Sequence, residues 1–107
     1  ELAAADNESS ATIRDRVITA RARATKRFSH ESWKLNSEIP PRALRSDYRP
    51  EKAAMNFLHD QLDQELITAR GLHKIIRTSW TIADLKALPQ PTLAEVKESF
   101  TLREGIE

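Results

Sequence analysis

The chain has 107 residues with 17 Lys and Arg against 16 Asp and Glu, and its net charge of +1 excludes a partner held by bulk electrostatics alone. Hydrophobic residues at 39% and charged residues at 31% describe one small soluble domain with one core, not a disordered segment. The absence of cysteine excludes disulfides and thiolate metal sites, which suits a reducing cytoplasmic setting.

Residues 1–8 are small and acidic and read as a flexible lead-in to a helical domain over 9–107. They hold neither an initiating Met nor a basic stretch before an apolar run, so they form no signal peptide, and the chain reads as a segment of a longer protein. Ser9 or Ser10 can cap a first helix to about Phe28, with Ile13, Val17, Ala20, Ala24 and Phe28 on one inward stripe. That helix sets Arg14, Arg16, Arg21, Arg23, Lys26 and Arg27 against Asp15, a net of +5. Residues 29–39 lack periodicity and predict a loop anchored by Trp33, Leu35 and Ile39.

Pro40-Pro41 opens a short second helix through Leu44 and Arg45, because proline suits the first helical turn. The third helix, about Glu51 to Leu66, turns Ala54, Phe57, Leu58, Leu62 and Leu66 inward and sums to −3 in charge. A fourth begins after Thr68, a good N-cap, and carries Leu72, Ile75, Ile76, Trp80 and Ala83 at helical spacing. Pro89 and Pro91 stop it beyond Leu88. Thr92-Leu93-Ala94-Glu95 is a capping box for the fifth, which faces Leu93, Val96 and Phe100 inward and ends at Gly105. No strand pattern occurs, so the fold class is all-α, a small bundle of four to five helices. No apolar run approaches the roughly 18 residues of a membrane span.

Gly71 and Gly105 are the chain's two glycines, so neither a Gly-x-x-x-x-Gly-Lys loop nor a Gly-x-Gly-x-x-Gly turn exists to cradle phosphates. A nucleotide is therefore not this domain's own tight ligand. Arg70 nevertheless falls in the first turn of the fourth helix, where the dipole disfavours a cation and free N–H groups favour an anion. Either a phosphate lies nearby, or Arg70 is solvated or paired with a neighbour such as Glu65. The basic helix 14–27 can grip nucleic acid through phosphates or pair with the acidic third helix. Arg42, Arg45 and Arg49 form a subunit-contact surface or a solvated face. His30, His59 and His73 are too scattered for a metal site, and His73 belongs near the Arg70 face or on the third helix. Trp33 and Trp80 read as core anchors whose indole N–H groups need acceptors.

The run Thr68-Ala69-Arg70, His73-Lys74-Ile75-Ile76-Arg77-Thr78 and Thr81-Ile82-Ala83-Asp84-Leu85 resembles the sensor-2 helix of magnesium-chelatase-like AAA+ ATPases. The likeness is greatest to the bacterial competence-protein M group. Asn7 to Val17 is similar to that family too, and Lys34-Leu35-Asn36, Ile39 and Leu44-Arg45 match in part. Trp80 stands where relatives usually carry Arg, and Gly71 where a larger residue is common. Nearly the whole chain is covered, but only the C-terminal part of the family's full-length protein. The resemblance implies an AAA+ lid in which Arg70, as sensor 2, reaches the γ-phosphate of ATP, within its own subunit or across to a neighbour's. It also implies Mg-ATP held by an upstream P-loop domain, a hexameric ring of neighbouring subunits, and a first helix belonging to the insertion that displaces the lid. The competence group implies action on DNA recombination intermediates, the chelatase group magnesium insertion into porphyrin. The chain alone is expected to have no ATPase activity, no catalytic residue and no metal. The rival classes are a nucleic-acid-binding bundle using 14–27 and a protein-interaction adaptor.

Overall fold

The computed structural model describes residues 10–106, with side chains described through Arg103. The expected lead-in over 1–8 lies outside the described residues. Within them the architecture is helical without a strand: α1 (Ser10–Arg27), a 3-10 turn (Asn36–Glu38), α2 (Pro41–Leu44), α3 (Lys52–Asp63), α4 (Ala69–Leu85) and α5 (Leu93–Ile106). The expected all-α bundle is therefore the observed fold.

α4 is the centre. Its apolar face buries Leu72, Ile75, Ile76, Trp80 and Ala83, as their three- and four-residue spacing dictates. α5 lies along it, α3 packs on both, and α1 joins α4 at the far end together with the 3-10 turn. Fully buried Phe28, Ile39, Leu44, Leu58, Ile75, Ile76 and Val96 form the core, and Phe57 and Phe100 close its edge in an edge-on pair at 5.5 Å. Ser99 spends its hydroxyl on the Ile75 carbonyl at 2.8 Å, so a buried polar group ties α5 to α4 without loss.

Five sequence expectations fail. Ile13 and Val17 are 48% and 42% exposed, because α1 runs past the end of α4 and residues 10–19 all stand in solvent. Leu35 is 45% exposed, since the chain turns at Asn36 and only Trp33 and Ile39 enter the core. Leu66 is 56% exposed: α3 ends at Asp63 and the chain reverses through Glu65 at φ 61°. There the Leu66 N–H bonds the Gln61 carbonyl at 2.9 Å and the Glu65 N–H bonds Leu62 at 3.0 Å. This is the paired-carbonyl closure usually given to glycine. α4 stops at Leu85, before either proline, by the same closure through Ala87 at φ 62°, and α5 continues through Gly105 to Ile106.

The α5 start is capped from two sides. The Glu95 carboxylate accepts the Thr92 N–H at 2.8 Å and the Thr92 hydroxyl, so the hydroxyl meets the carboxylate rather than the expected third N–H. Glu51 accepts the Leu93 N–H at 2.8 Å, and its own N–H reaches the Pro91 carbonyl at 3.2 Å, fixing the α3 start to the α5 start. Lys86 adds 3.0 Å and 3.1 Å contacts to Glu95 and Glu98. Burial pushes the Glu95 carboxyl up, but the Thr92 hydroxyl and N–H, the Lys86 ammonium and its own N–H outweigh burial and hold it at about 2.

Two outcomes follow. Ile76→Ala, emptying a fully buried site, should cost roughly 2–5 kcal/mol in urea unfolding, with half-buried Leu62→Ala lower in that range or below it. Because the Glu95 pKa is depressed, its stabilisation is complete above the unfolded value near 4.5 and is lost as pH falls toward about 2. Across that window the native chain should lose about 2–4 kcal/mol more than Glu95→Gln, and parallel curves would show that the carboxylate is not held as described.

Candidate functional site

The start of α4 is built by Thr68, whose extended backbone (φ −99°, ψ 169°) turns its hydroxyl onto the Gly71 N–H at 3.0 Å. Its carbonyl takes the Leu72 N–H at 2.8 Å. No described residue accepts the Ala69 or Arg70 N–H, so two donors remain at the positive end of a 17-residue helix. The Arg70 side chain is exposed and makes no hydrogen bond or ion pair among the described residues; the pairing with Glu65 does not occur. A second guanidinium approaches from the last turn of α5. A Cβ on buried Gly71 would lie 3.3 Å from Arg103 Nη2 and 3.4 Å from Thr68 Oγ1, so glycine here leaves room for Arg103 and for the cap together.

From Arg70 the outward face of α4 continues through His73, Lys74 and Arg77, at the three- and four-residue steps that align side chains. His73 lies on the Arg70 face, as one expectation had it, and its partners are cations. Burial first, then Arg77 and Arg45, push its pKa below the usual value, so the ring is neutral at pH 7. Arg77 is anchored by Nε donating to the Ile39 carbonyl at 2.9 Å. This face therefore gathers cations and carries no ion pair among the described residues.

The other end of α4 is a polar knot that sequence reasoning missed. Asp84 is 1% exposed and forms a two-pronged pair with Arg27. It also accepts Asn36 Nδ2 at 2.9 Å, while its backbone carbonyl takes Arg23 Nη1 at 2.8 Å. The Arg27 guanidinium lies 4.3 Å over the Trp80 ring, and the Trp80 indole donates to the Tyr48 carbonyl at 2.8 Å. Burial and a 2.7 Å hydrogen bond to Glu31 push the Tyr48 phenol up to about 12, so it stays a donor. The Trp33 indole, by contrast, is buried without an acceptor among the described residues. A signal for the knot existed: Asp84 falls four residues after Trp80 on the buried face, where a carboxylate needs a partner.

The basic helix is thus partly spent. Arg23 and Arg27 serve α4, while Arg14, Arg21 and Lys26 remain exposed without an ion pair among the described residues. No sustained packing joins α1 to α3, so the expected pairing of basic and acidic helices is not how the domain is built. No group of three or more His, Cys, Asp or Glu among the described residues could hold a metal. No described helix is long and apolar enough to cross a membrane.

Residues 7–103 match the family described as magnesium chelatase, subunit ChlI C-terminal, and the chain belongs to that family. Proteins of Mycobacterium tuberculosis and Mycobacterium bovis, each described as uncharacterized, are 36% identical over 101 residues. That alignment covers 94% of this chain but 20% of each relative, so the chain spans about a fifth of their length. No solved structure matches the chain.

Proposed function

We propose that this domain is the C-terminal lid of a magnesium-chelatase-like AAA+ ATPase and that Arg70 contributes the sensor-2 contact to an ATP phosphate. The observation that carries the reading is the state of Arg70: exposed, without a side-chain partner among the described residues, beside two N–H groups that no described residue accepts. A guanidinium left free there matches the planar oxygens of a phosphate and the charge that shifts during phosphoryl transfer. Family membership supports the lid assignment for the domain over 9–107.

The residues present fit one arm of a phosphate site and no more. With two glycines, the chain has no loop to wrap a triphosphate, and the described residues offer no carboxylate set for magnesium. ATP and Mg therefore belong to an upstream P-loop domain of the parent. In a ring of subunits, hexameric by family resemblance, α1 and α4 meet neighbouring subunits and transmit nucleotide state. The resemblance to the competence group supports a parent acting on DNA recombination intermediates. A direct nucleic-acid role for α1 draws support only from exposed Arg14, Arg21 and Lys26, a thin footprint once Arg23 and Arg27 are engaged.

Arg70→Ala should leave the melting temperature of this domain within about a degree or two, as exposed substitutions do. In the full-length protein it should lower ATP turnover by roughly tenfold or more, as loss of a transition-state arginine does. Undiminished turnover in the variant would remove the sensor assignment.

A further inference from the structure

Two exposed apolar spots lie on separate elements of this domain, one flanked by arginines and the other by carboxylates. On α1, Ile13 and Val17 continue the stripe that Ala20 and Ala24 bury, and nothing described covers them. With Leu35 and Leu85 across from it, Val17 walls an open groove of about 280 Å³. Arg21 stands on its rim and Arg14 lies two turns earlier along α1, both exposed and without an ion pair among the described residues. Single exposed apolar residues are ordinary, but a contiguous apolar groove is an interaction surface.

The second spot is the turn that ends α3. Leu66 is among the most exposed large hydrophobic side chains of the domain, directly after Glu65, and exposed Asp60 and Asp63 precede it in the last turn of α3. None of these three carboxylates has an ion pair among the described residues. α1 and α3 each pack on α4 without sustained packing on each other, so the two spots belong to separate elements of one molecule. A nucleic acid would satisfy the arginines and leave the groove floor wet.

We propose that the α1 groove receives the Leu66 turn of a second copy, arginines against carboxylates. The contact is heterologous, head to tail, so it closes into a ring or extends as a filament. It rests on the ring reading above and names the surfaces that would make one. Arg70 follows Leu66 by four residues, so the phosphate-facing end of one copy comes beside α1 of the next.

The chain has no cysteine, so single introduced cysteines report contact cleanly. Val17→Cys and Leu66→Cys chains, distinguished by size, are mixed and oxidised. The mixed disulfide should exceed either symmetric product by about tenfold, where random collision yields about twofold. Arg14→Glu with Arg21→Glu in the Val17→Cys chain should return it to the random level. Asp60→Arg with Asp63→Arg in the Leu66→Cys partner should then restore it. A random product ratio with native charges, or a ratio indifferent to charge reversal, overturns the assignment. The ring reading fails separately: if full-length protein forms no ring with ATP it is wrong, whereas a ring that persists in Arg14→Glu/Arg21→Glu full-length protein removes only these surfaces.

Discussion

A buried carboxylate constrains most of what this domain can do. Asp84 sits at the end of α4 with about the exposure of a core leucine, and taking a charge from water is costly unless it is fully engaged. Arg27 supplies the opposite charge, Asn36 a further donor, and Arg23 ties the adjacent carbonyl, so α1, the 3-10 turn and α4 converge on one residue. Trp80 extends the arrangement: its ring carries the Arg27 guanidinium and its indole holds the backbone of Tyr48. Such a pair adds little net stability over well-packed apolar residues, but it fixes where α1 attaches, since no other site for Arg27 would neutralise Asp84.

That attachment bears on function through the length of α4. By helical rise, Arg70 and Asp84 stand about 21 Å apart along one rigid element. The knot fixes one end, the α5 packing and the Thr68 cap define the other, and Arg70 is left outside both sets of bonds. Arg23 and Arg27 of α1 are consumed at Asp84 while Arg70 is not, so the count of basic residues says little about which are available. The neutral His73 between Arg77, Arg45 and the Arg70 turn keeps that face from carrying one more positive charge at pH 7.

Local chemistry made the helices legible and tertiary extent did not. Thr68, Pro41 and the Thr92–Glu95 pair mark helix starts through groups that satisfy or dispense with orphan N–H donors, and all three starts lie where that chemistry puts them. Helix ends were harder, because Glu65 and Ala87 hold the left-handed conformation that a sequence usually signals with glycine. Periodicity told which residues of α1 share a face but not where α4 stops beneath them, so Ile13 and Val17 were assigned to a core that ends before reaching them. Charge sums misled in the same way: the +5 and −3 helices looked like partners, while Arg23 and Arg27 went to a single aspartate. Of the candidate site, the identity and position of Arg70 were readable in the sequence. Its lack of a side-chain partner among the described residues was not readable, since Glu65 is an equally good neighbour in sequence.

A double-mutant cycle on Arg27 and Asp84 tests the central claim most directly, using Arg27→Met, Asp84→Asn and the combination in equilibrium unfolding. Groups that share one buried network couple strongly, so the two losses should fall short of additivity by at least about 2 kcal/mol. The double variant should also remain folded. Losses that simply add, within about 0.5 kcal/mol, would mean that Arg27 and Asp84 act independently and that α1 is held in place by something else.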